Sequence, residues 1–204
     1  MAAVLIAVAL YVIENYGGNG FVPSWDQIYQ WVGLEPSQSE TTAPLPEGET
    51  EVVFLDVGQG DAVLILQNGA ACLIDAGPKD ARQDLVQNLR SYGVSQLDLL
   101  VMTHPHADHV GGMQAVLQNF DVQTLLTPDE TDVTGQTQCT LQTAHECGVP
   151  VETAYTGQQY TIGTGTLTVL LPGVDADTAG SDDATNDMSL CLRFEAGNFT
   201  FLDT

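Results

Sequence analysis

The sequence predicts a mixed α/β domain in which helices cover β-sheets. From Glu51 onward, short apolar stretches of strand length alternate with amphipathic stretches of helix length. Glycine-containing turn signals separate the first strands, at Gly58–Gly60 and at Asn68–Gly69. At 204 residues the chain is long enough for one domain with a substantial core and too short for two large ones.

Each element follows from the local pattern. The stretch Ala81–Tyr92 is predicted to be helical because Leu85, Val86 and Leu89 share one face and Gly93 follows its end. Strands are predicted where apolar residues run for three to six positions between turn residues. The predicted strands are Val52–Val57, Ala62–Leu66, Ala71–Asp75, Leu97–Met102, Val122–Leu126, Tyr160–Ile162, Leu167–Leu171, Ser189–Phe194 and Phe199–Leu202. The other predicted helices are Gly111–Asn119 and Gln138–Glu146.

The N-terminal quarter has a different composition. Met1–Ile13 is continuously apolar but shorter than the roughly 20 residues that a membrane span needs. We interpret it as a membrane-anchor or export segment, the alternative being a helix buried against the domain. Phe21–Leu34 is predicted to form a short amphipathic helix, and Ser37–Thr50 has the composition of a flexible linker. The predicted organisation is an anchor or export segment at 1–13, an amphipathic stretch with a linker at 14–50, and a folded domain at 51–204.

The charge balance restricts the partners. The chain has 27 acidic and 4 basic residues, for a net charge of -23. Such a surface repels polyanions at long range, which disfavours extended nucleic acid as a partner. Metal ions would become the largest local charges in a site, so nucleotide chemistry stays possible. We therefore expect a small-molecule or nucleotide-type partner rather than a long polyanion.

Three of the four histidines lie within one hexapeptide, His104–His109, which has the pattern HxHxDH. Imidazole and carboxylate groups are ligands that zinc accepts readily. His104 and His106 are predicted to bind one metal ion, and Asp108 and His109 a second, from a loop that follows a buried strand. Two adjacent metal ions can share a hydroxide and stabilise both attacking and leaving oxygens, so the expected chemistry is hydrolysis.

Other residues are weaker candidates. Asp75 follows a predicted strand, and its carboxylate could orient a metal-bound imidazole or could form an Asx turn at the strand end. Both interpretations stay open. His145 lies in a predicted helix and is interpreted as a surface residue. The four cysteines show no Cys-x-x-Cys spacing, so a cysteine zinc site is not predicted.

Three sequence stretches resemble the metallo-β-lactamase superfamily: FLDVGQGDAVLI (Phe54–Ile65), LIDAG (Leu73–Gly77) and LLVMTHPHADHVGG (Leu99–Gly112). More narrowly, they and the stretch Asn186–Thr204 are similar to the metallohydrolase domain of ComEC-type competence proteins. The resemblance implies an αββα sandwich, a site for two zinc ions and possible phosphodiester cleavage. It implies ligand roles for His104, His106, Asp108 and His109, with Asp108 also a catalytic candidate, and a supporting catalytic role for Asp75.

The chain also departs from the pattern of this branch. The final strand of the branch usually leads into a Thr-Gly-Asp motif whose aspartate bridges both metals, whereas this sequence stops at Thr204. Asp203 corresponds to an apolar position and is not counted as that ligand. No histidine occurs between the hexapeptide and Thr204 apart from His145. We therefore expect a domain incomplete at its C-terminus, with open metal sites. Asp61, in the GQGD turn, is expected to stabilise that turn.

Two functional hypotheses follow. The first is an extracytoplasmic, membrane-anchored or secreted hydrolase that uses two zinc ions, with a metal-bound hydroxide attacking a phosphodiester or ester-like bond. The second is a non-catalytic metal-binding domain or pseudoenzyme, which the missing ligands favour.

Overall fold

The computed structural model of the chain describes residues 45–128, 135–171 and 189–204, which belong to one compact unit. The predicted segments Met1–Ile13 and Phe21–Leu34, and residues 37–44 of the predicted linker, lie outside the described residues. Within the described ranges, no helix is both long enough and apolar enough to cross a membrane.

Twelve strands and four α-helices form the described part of the chain. The strands are β1 (Thr50–Phe54), β2 (Val63–Gln67), β3 (Ala70–Ile74), β4 (Gln96–Leu97), β5 (Leu99–Val101), β6 (Asp121–Val122), β7 (Leu125–Thr127), β8 (Val151–Thr153), β9 (Gln159–Ile162), β10 (Gly165–Leu171), β11 (Cys191–Ala196) and β12 (Phe199–Asp203). The helices are α1 (Arg82–Ser91), α2 (Ala107–Val110), α3 (Met113–Asn119) and α4 (Gly135–Cys147), and a 3-10 turn (Lys79–Ala81) precedes α1.

The strands form two large sheets. The first has the order β1-β2-β3-β5-β7-β8, antiparallel from β1 to β3 and parallel from β3 to β8. The second has the order β12-β11-β10-β9 and is antiparallel throughout. A short parallel pair of β4 and β6 completes the strand pairing of the described residues.

The first sheet is buried on both faces because its strands carry apolar residues at successive positions. In β3, Leu73 joins a core cluster with the helices, whereas Cys72 and Ile74 join a cluster with the second sheet. The buried apolar residues of α1, α2, α3 and α4 all belong to the first cluster, and no residue of a described helix belongs to the second. The described residues therefore form a helix–sheet–sheet arrangement, and the predicted mixed α/β class is confirmed.

One predicted strand is divided. The stretch Leu97–Met102 forms two strands with different partners, because β4 pairs with β6 whereas β5 pairs with β3 and β7. Asp98 lies at the break, where its carboxylate accepts a hydrogen bond from the backbone N–H of Ala71 at 2.9 Å. The stretch Val122–Leu126 is divided in the same way, into β6 and β7. Strand β8 was not predicted, because its three residues are all exposed and carry no apolar pattern.

Candidate metal centre

The site lies where two parallel neighbours of the first sheet end. Ile74 of β3 pairs with Val101 of β5, so the residues that follow both strands emerge at the same edge. Asp75 follows β3, and Thr103 and His104 follow β5. Asp75 is 2% exposed and His104 is 5% exposed. Sheet topology thus brings together residues that are far apart in the sequence.

The carboxylate of Asp75 has three hydrogen-bond partners. Its Oδ1 accepts from the backbone N–H of Thr103 at 2.9 Å, and its Oδ2 accepts from the Thr103 hydroxyl at 2.5 Å. Oδ2 also lies 2.7 Å from Nδ1 of His109. These partners are 28 and 34 residues away in sequence, so the contacts match the supporting interpretation of Asp75 rather than a local Asx turn. The backbone of Asp75 adopts a left-handed conformation, with φ of 55°, that aims the side chain across the sheet edge.

The tautomers of two histidines follow from these contacts. The carboxylate of Asp75 can only accept, so the single hydroxyl proton of Thr103 is donated to it. The Thr103 oxygen is then left to accept from Nδ1 of His104, which lies 3.0 Å away. His109 likewise donates from Nδ1 to Asp75. In their neutral forms both rings then carry an unprotonated Nε2, which is the atom that binds a metal ion.

Three residues at this edge form a candidate metal-binding cluster. Asp75, His104 and His109 each offer a ligand atom within 4.8 Å of the others, and the ring centroids of His104 and His109 are 4.0 Å apart. Nitrogen and carboxylate donors in such a cluster fit a divalent metal ion, and the Nδ1 hydrogen bonds hold the rings in position for it. The donor set is thus suited to zinc.

The electrostatics of the two rings differ. Burial lowers the pKa of His104, and the neighbouring His109 and His106 add to this effect while Asp75 and Asp108 oppose it. Burial would also lower the pKa of His109, but the hydrogen bond and charge of Asp75, together with Asp108 and Asp61, outweigh it and raise that pKa. His104 is therefore neutral at neutral pH, as a ligand must be.

The other two predicted ligands lie beside this cluster. His106 is half-buried, with its ring centroid 4.8 Å from that of His104. Asp108 and His109 belong to the one-turn helix α2, so the prediction of an open loop through these residues was wrong. The turn forms because the backbone N–H groups of His109 and Val110 both donate to the carbonyl of His106. The two-ion arrangement of His104, His106, Asp108 and His109 stays a prediction.

Main-chain hydrogen bonds join two loops and the one-turn helix α2 around the site. The joined segments are residues 60–61, 75–77 and 108–112, and we call them together the site loops. Gly60 has no room for a side chain, because a Cβ there would lie 2.3 Å from the carbonyl oxygen of Asp108. The bonds run from the N–H of Asp61 to the carbonyl of Asp108, from Gly77 to Asp61, from Ala76 to His109 and from Gly112 to Gly77.

Asp61 does not stabilise its turn as predicted. Among the described residues its carboxylate accepts no hydrogen bond, and the side chain is exposed. The turn is instead capped by Asp56, whose Oδ1 accepts from the backbone N–H of Gly58 at 3.2 Å. Asp61 contributes backbone hydrogen bonds and a negative charge near His109.

Asp203 is a further acid near the site. It pairs in register with the buried Leu192 of β11, and paired residues of adjacent strands face the same side, so Asp203 faces the interior of the sandwich. Burial raises its pKa to about 7, the charges of Asp75 and Asp61 add to this effect, and His109 opposes it. Asp203 was not predicted as a site residue, because it occupies a position that is apolar in the ComEC-like branch.

We expect Asp203→Asn to stabilise the metal-free protein at alkaline pH. The folded-state pKa of Asp203 lies above its usual value of 3.8, so the folded state holds this proton more tightly than the unfolded state. The contribution of Asp203 to stability is therefore full below about pH 4 and is lost as the pH rises through about 7. At pH 8 the variant should exceed the original protein by roughly 2 kcal/mol in free energy of unfolding, and the difference should vanish near pH 4.

Urea unfolding of the chelator-treated protein at several pH values measures this difference. Asp121→Asn is the matched control, because Asp121 is an exposed acid in β6. Equal pH profiles for Asp203→Asn and the original protein would contradict the assigned burial of the charge.

Residues 55–137 match the family model described as the metallo-beta-lactamase superfamily. The chain carries a metallo-beta-lactamase superfamily domain. ComE operon protein 3 of Bacillus subtilis is 29% identical over 180 residues, covering 79% of this chain and 22% of that protein. Competence protein ComA of Neisseria gonorrhoeae is 42% identical over 73 residues, covering 35% of this chain and 11% of that protein.

Solved structures show the same metallo-beta-lactamase fold. SMB-1, in a complex with mercaptoacetic acid, gives a TM-score of 0.54 at 14% identity, covering 82% of this chain and 65% of that one. A HARLDQ motif mutant metallo-beta-lactamase from Cronobacter sakazakii gives 0.51 at 17% identity, covering 78% and 62%. The chain thus spans about a fifth or less of these curated relatives, and under two thirds of these two structures. The predicted ComEC-like resemblance is confirmed.

Proposed function

We propose that this domain is a metal-dependent hydrolase that uses two zinc ions and cleaves a phosphodiester or ester-like bond. His104, His106, Asp108 and His109 would hold the ions. The superfamily match and the fold support hydrolysis in general. The specific bond and the number of ions are the parts that need testing.

The observation that carries the proposal is the shared carboxylate of Asp75. It holds His109 directly and His104 through the Thr103 hydroxyl, so that the two rings lie side by side, with their centroids 4.0 Å apart and Nδ1 of each already engaged. Such buried hydrogen bonds fix ring orientation in metal sites and are costly to build for a purely structural purpose. A bound zinc ion would supply Lewis acidity and an activated water for hydrolysis at neutral pH.

Hydrolysis of bis(p-nitrophenyl) phosphate and p-nitrophenyl acetate by the zinc-loaded chain tests the proposal. We expect His106→Ala to lower kcat/KM by about 100-fold or more, because it removes a predicted ligand beside His104. His145→Ala is the control, since His145 is exposed on α4. If His106→Ala hydrolyses both substrates as fast as the original chain, the proposed site is wrong. Zinc binding without turnover on either substrate would favour the non-catalytic hypothesis.

We also propose a small-molecule or nucleotide-type substrate and an extracytoplasmic location. The net charge of -23 disfavours extended nucleic acid at this domain, and one curated relative is named as a competence protein. The apolar stretch Met1–Ile13 is proposed as the anchor or export segment.

A further inference from the structure

A groove lies beside the candidate metal centre, on the helical side of the domain. It encloses about 400 Å³ between the 3-10 turn and helices α2, α3 and α4. Its lining combines the apolar side chains of Val110, Ala115 and Cys139 with amide and hydroxyl groups from α3 and α4. The residues that supply polar side chains are Lys79, Arg82, Gln114, Gln118, Gln136 and Thr140.

The charge in this groove is opposite to that of the molecule. Two of the four basic residues of the chain line it, and none of the 27 acidic residues does so among the described lining. The other two basic residues are engaged elsewhere. Arg193 forms an ion pair with Glu195 at 3.0 Å, and Arg90 donates to Asn119 at 2.9 Å. The groove therefore gathers positive charge and neutral donors in a strongly acidic protein.

The Arg82 guanidinium and the backbone of Lys79 are held in place. Arg82 is half-buried, and its Nη1 donates to the carbonyl oxygen of Lys79 at 3.0 Å, which ties the guanidinium to the 3-10 turn. That turn packs closely on the site loops, because a Cβ at Gly111 would lie 2.2 Å from the backbone nitrogen of Lys79. The Arg82 side chain therefore loses less conformational entropy when a ligand binds.

The groove leads toward the candidate metal centre. Lys79 and Gln136 also line an adjacent recess of about 500 Å³, which Asp80 and Asp108 line as well. A ligand held at Lys79 and Arg82 could extend from the groove toward the predicted ligands. The groove nevertheless uses none of the metal-site side chains itself.

We propose that this groove binds a phosphoryl group of a small ligand, held by Lys79 and Arg82. A planar guanidinium and an ammonium group recognise the oxygens of a phosphate through charge-assisted hydrogen bonds. The glutamine amides and the Thr140 hydroxyl supply neutral donors around them. A small ligand is favoured over a polymer, because the groove is bounded and the rest of the surface repels long polyanions. This binding does not depend on hydrolysis.

Calorimetric titration of the chelator-treated, full-length chain with inorganic pyrophosphate at low salt tests the proposal. We expect the affinity to fall by about tenfold or more in Lys79→Gln/Arg82→Gln, and by a smaller factor in Lys79→Gln alone. Arg193→Gln is the matched control, because it removes one positive charge outside the groove. Lys79 is exposed, so the single variant tests the groove even if the double variant fails to fold.

Each outcome decides the proposal. Weaker binding in the Lys79 and Arg82 variants, with unchanged binding in Arg193→Gln, supports it. Absence of pyrophosphate binding to the original chain, or equal losses in Arg193→Gln, overturns it. Acetate that competes as well as pyrophosphate would overturn the phosphoryl assignment, and a single-stranded oligonucleotide that binds far more tightly would overturn the small ligand. Because no metal is present, none of these results bears on the proposed hydrolase.

Discussion

Replacement of His104 by alanine is expected to weaken zinc binding by about 100-fold or more. The buried ring presents Nε2 to the site, and its Nδ1 is already engaged by Thr103, so no other atom of this residue can substitute. Asp75→Asn should weaken binding by about 10- to 100-fold, because an amide has only one acceptor oxygen, and its NH2 group would face one of the three donors that the carboxylate accepts from. Competition with a chromophoric chelator measures both affinities.

A control is essential in so acidic a protein, since 27 carboxylates can bind zinc weakly at many places. His145→Ala removes an exposed imidazole from α4 and should leave the tight zinc binding unchanged. If His104→Ala retained the affinity of the original chain while His145→Ala lost it, the metal centre would have to be placed elsewhere.

Gly112→Ala is expected to destabilise the fold by about 3 kcal/mol. A Cβ at this position would lie 2.1 Å from the carbonyl oxygen of Ala76 and 3.0 Å from Cδ2 of Leu85. The first of these atoms is backbone, and the N–H of Gly112 is bonded to the carbonyl of Gly77 at 3.0 Å, so neither segment can move without loss of hydrogen bonds. Thermal unfolding should show a decrease in Tm of about 6–12 °C.

Gly135→Ala provides the comparison for this variant. No atom of the described residues lies within 4 Å of a Cβ at Gly135, which begins α4, and alanine is the better helix former. Its stability should match or slightly exceed that of the original chain. Equal stability of Gly112→Ala and Gly135→Ala would show that the site loops are less tightly packed than described.

The metal-ligand candidates of the hexapeptide were accessible from sequence because they are local. Three histidines and an aspartate within six residues predict a metal site without any knowledge of the fold. Asp75 was left with two interpretations, because its partners Thr103 and His109 lie 28 and 34 residues away and meet it only through parallel pairing of β3 with β5.

The features that sequence reasoning missed depend on register and on single side chains. Asp98 interrupts a stretch that reads as one apolar strand, by bonding to the backbone of Ala71. Asp203 faces the interior only because it is paired with Leu192, which no local pattern reveals. In the sequence, Lys79 and Arg82 have no pattern that distinguishes them from ordinary surface residues. They line one groove only because the fold places α2, α3 and α4 beside them.

The site loops are joined to one another by main-chain atoms, so their relative position is largely independent of which side chains they carry. Glycines fill the closest approaches, at Gly60, Gly111 and Gly112. The metal-ligand and groove side chains can therefore be substituted during evolution while the backbone conformation around them is retained. In a directed-evolution library, these three glycines are therefore the positions to hold constant, and Gln114, Gln118 and Gln136 are the ones to vary for a new substrate.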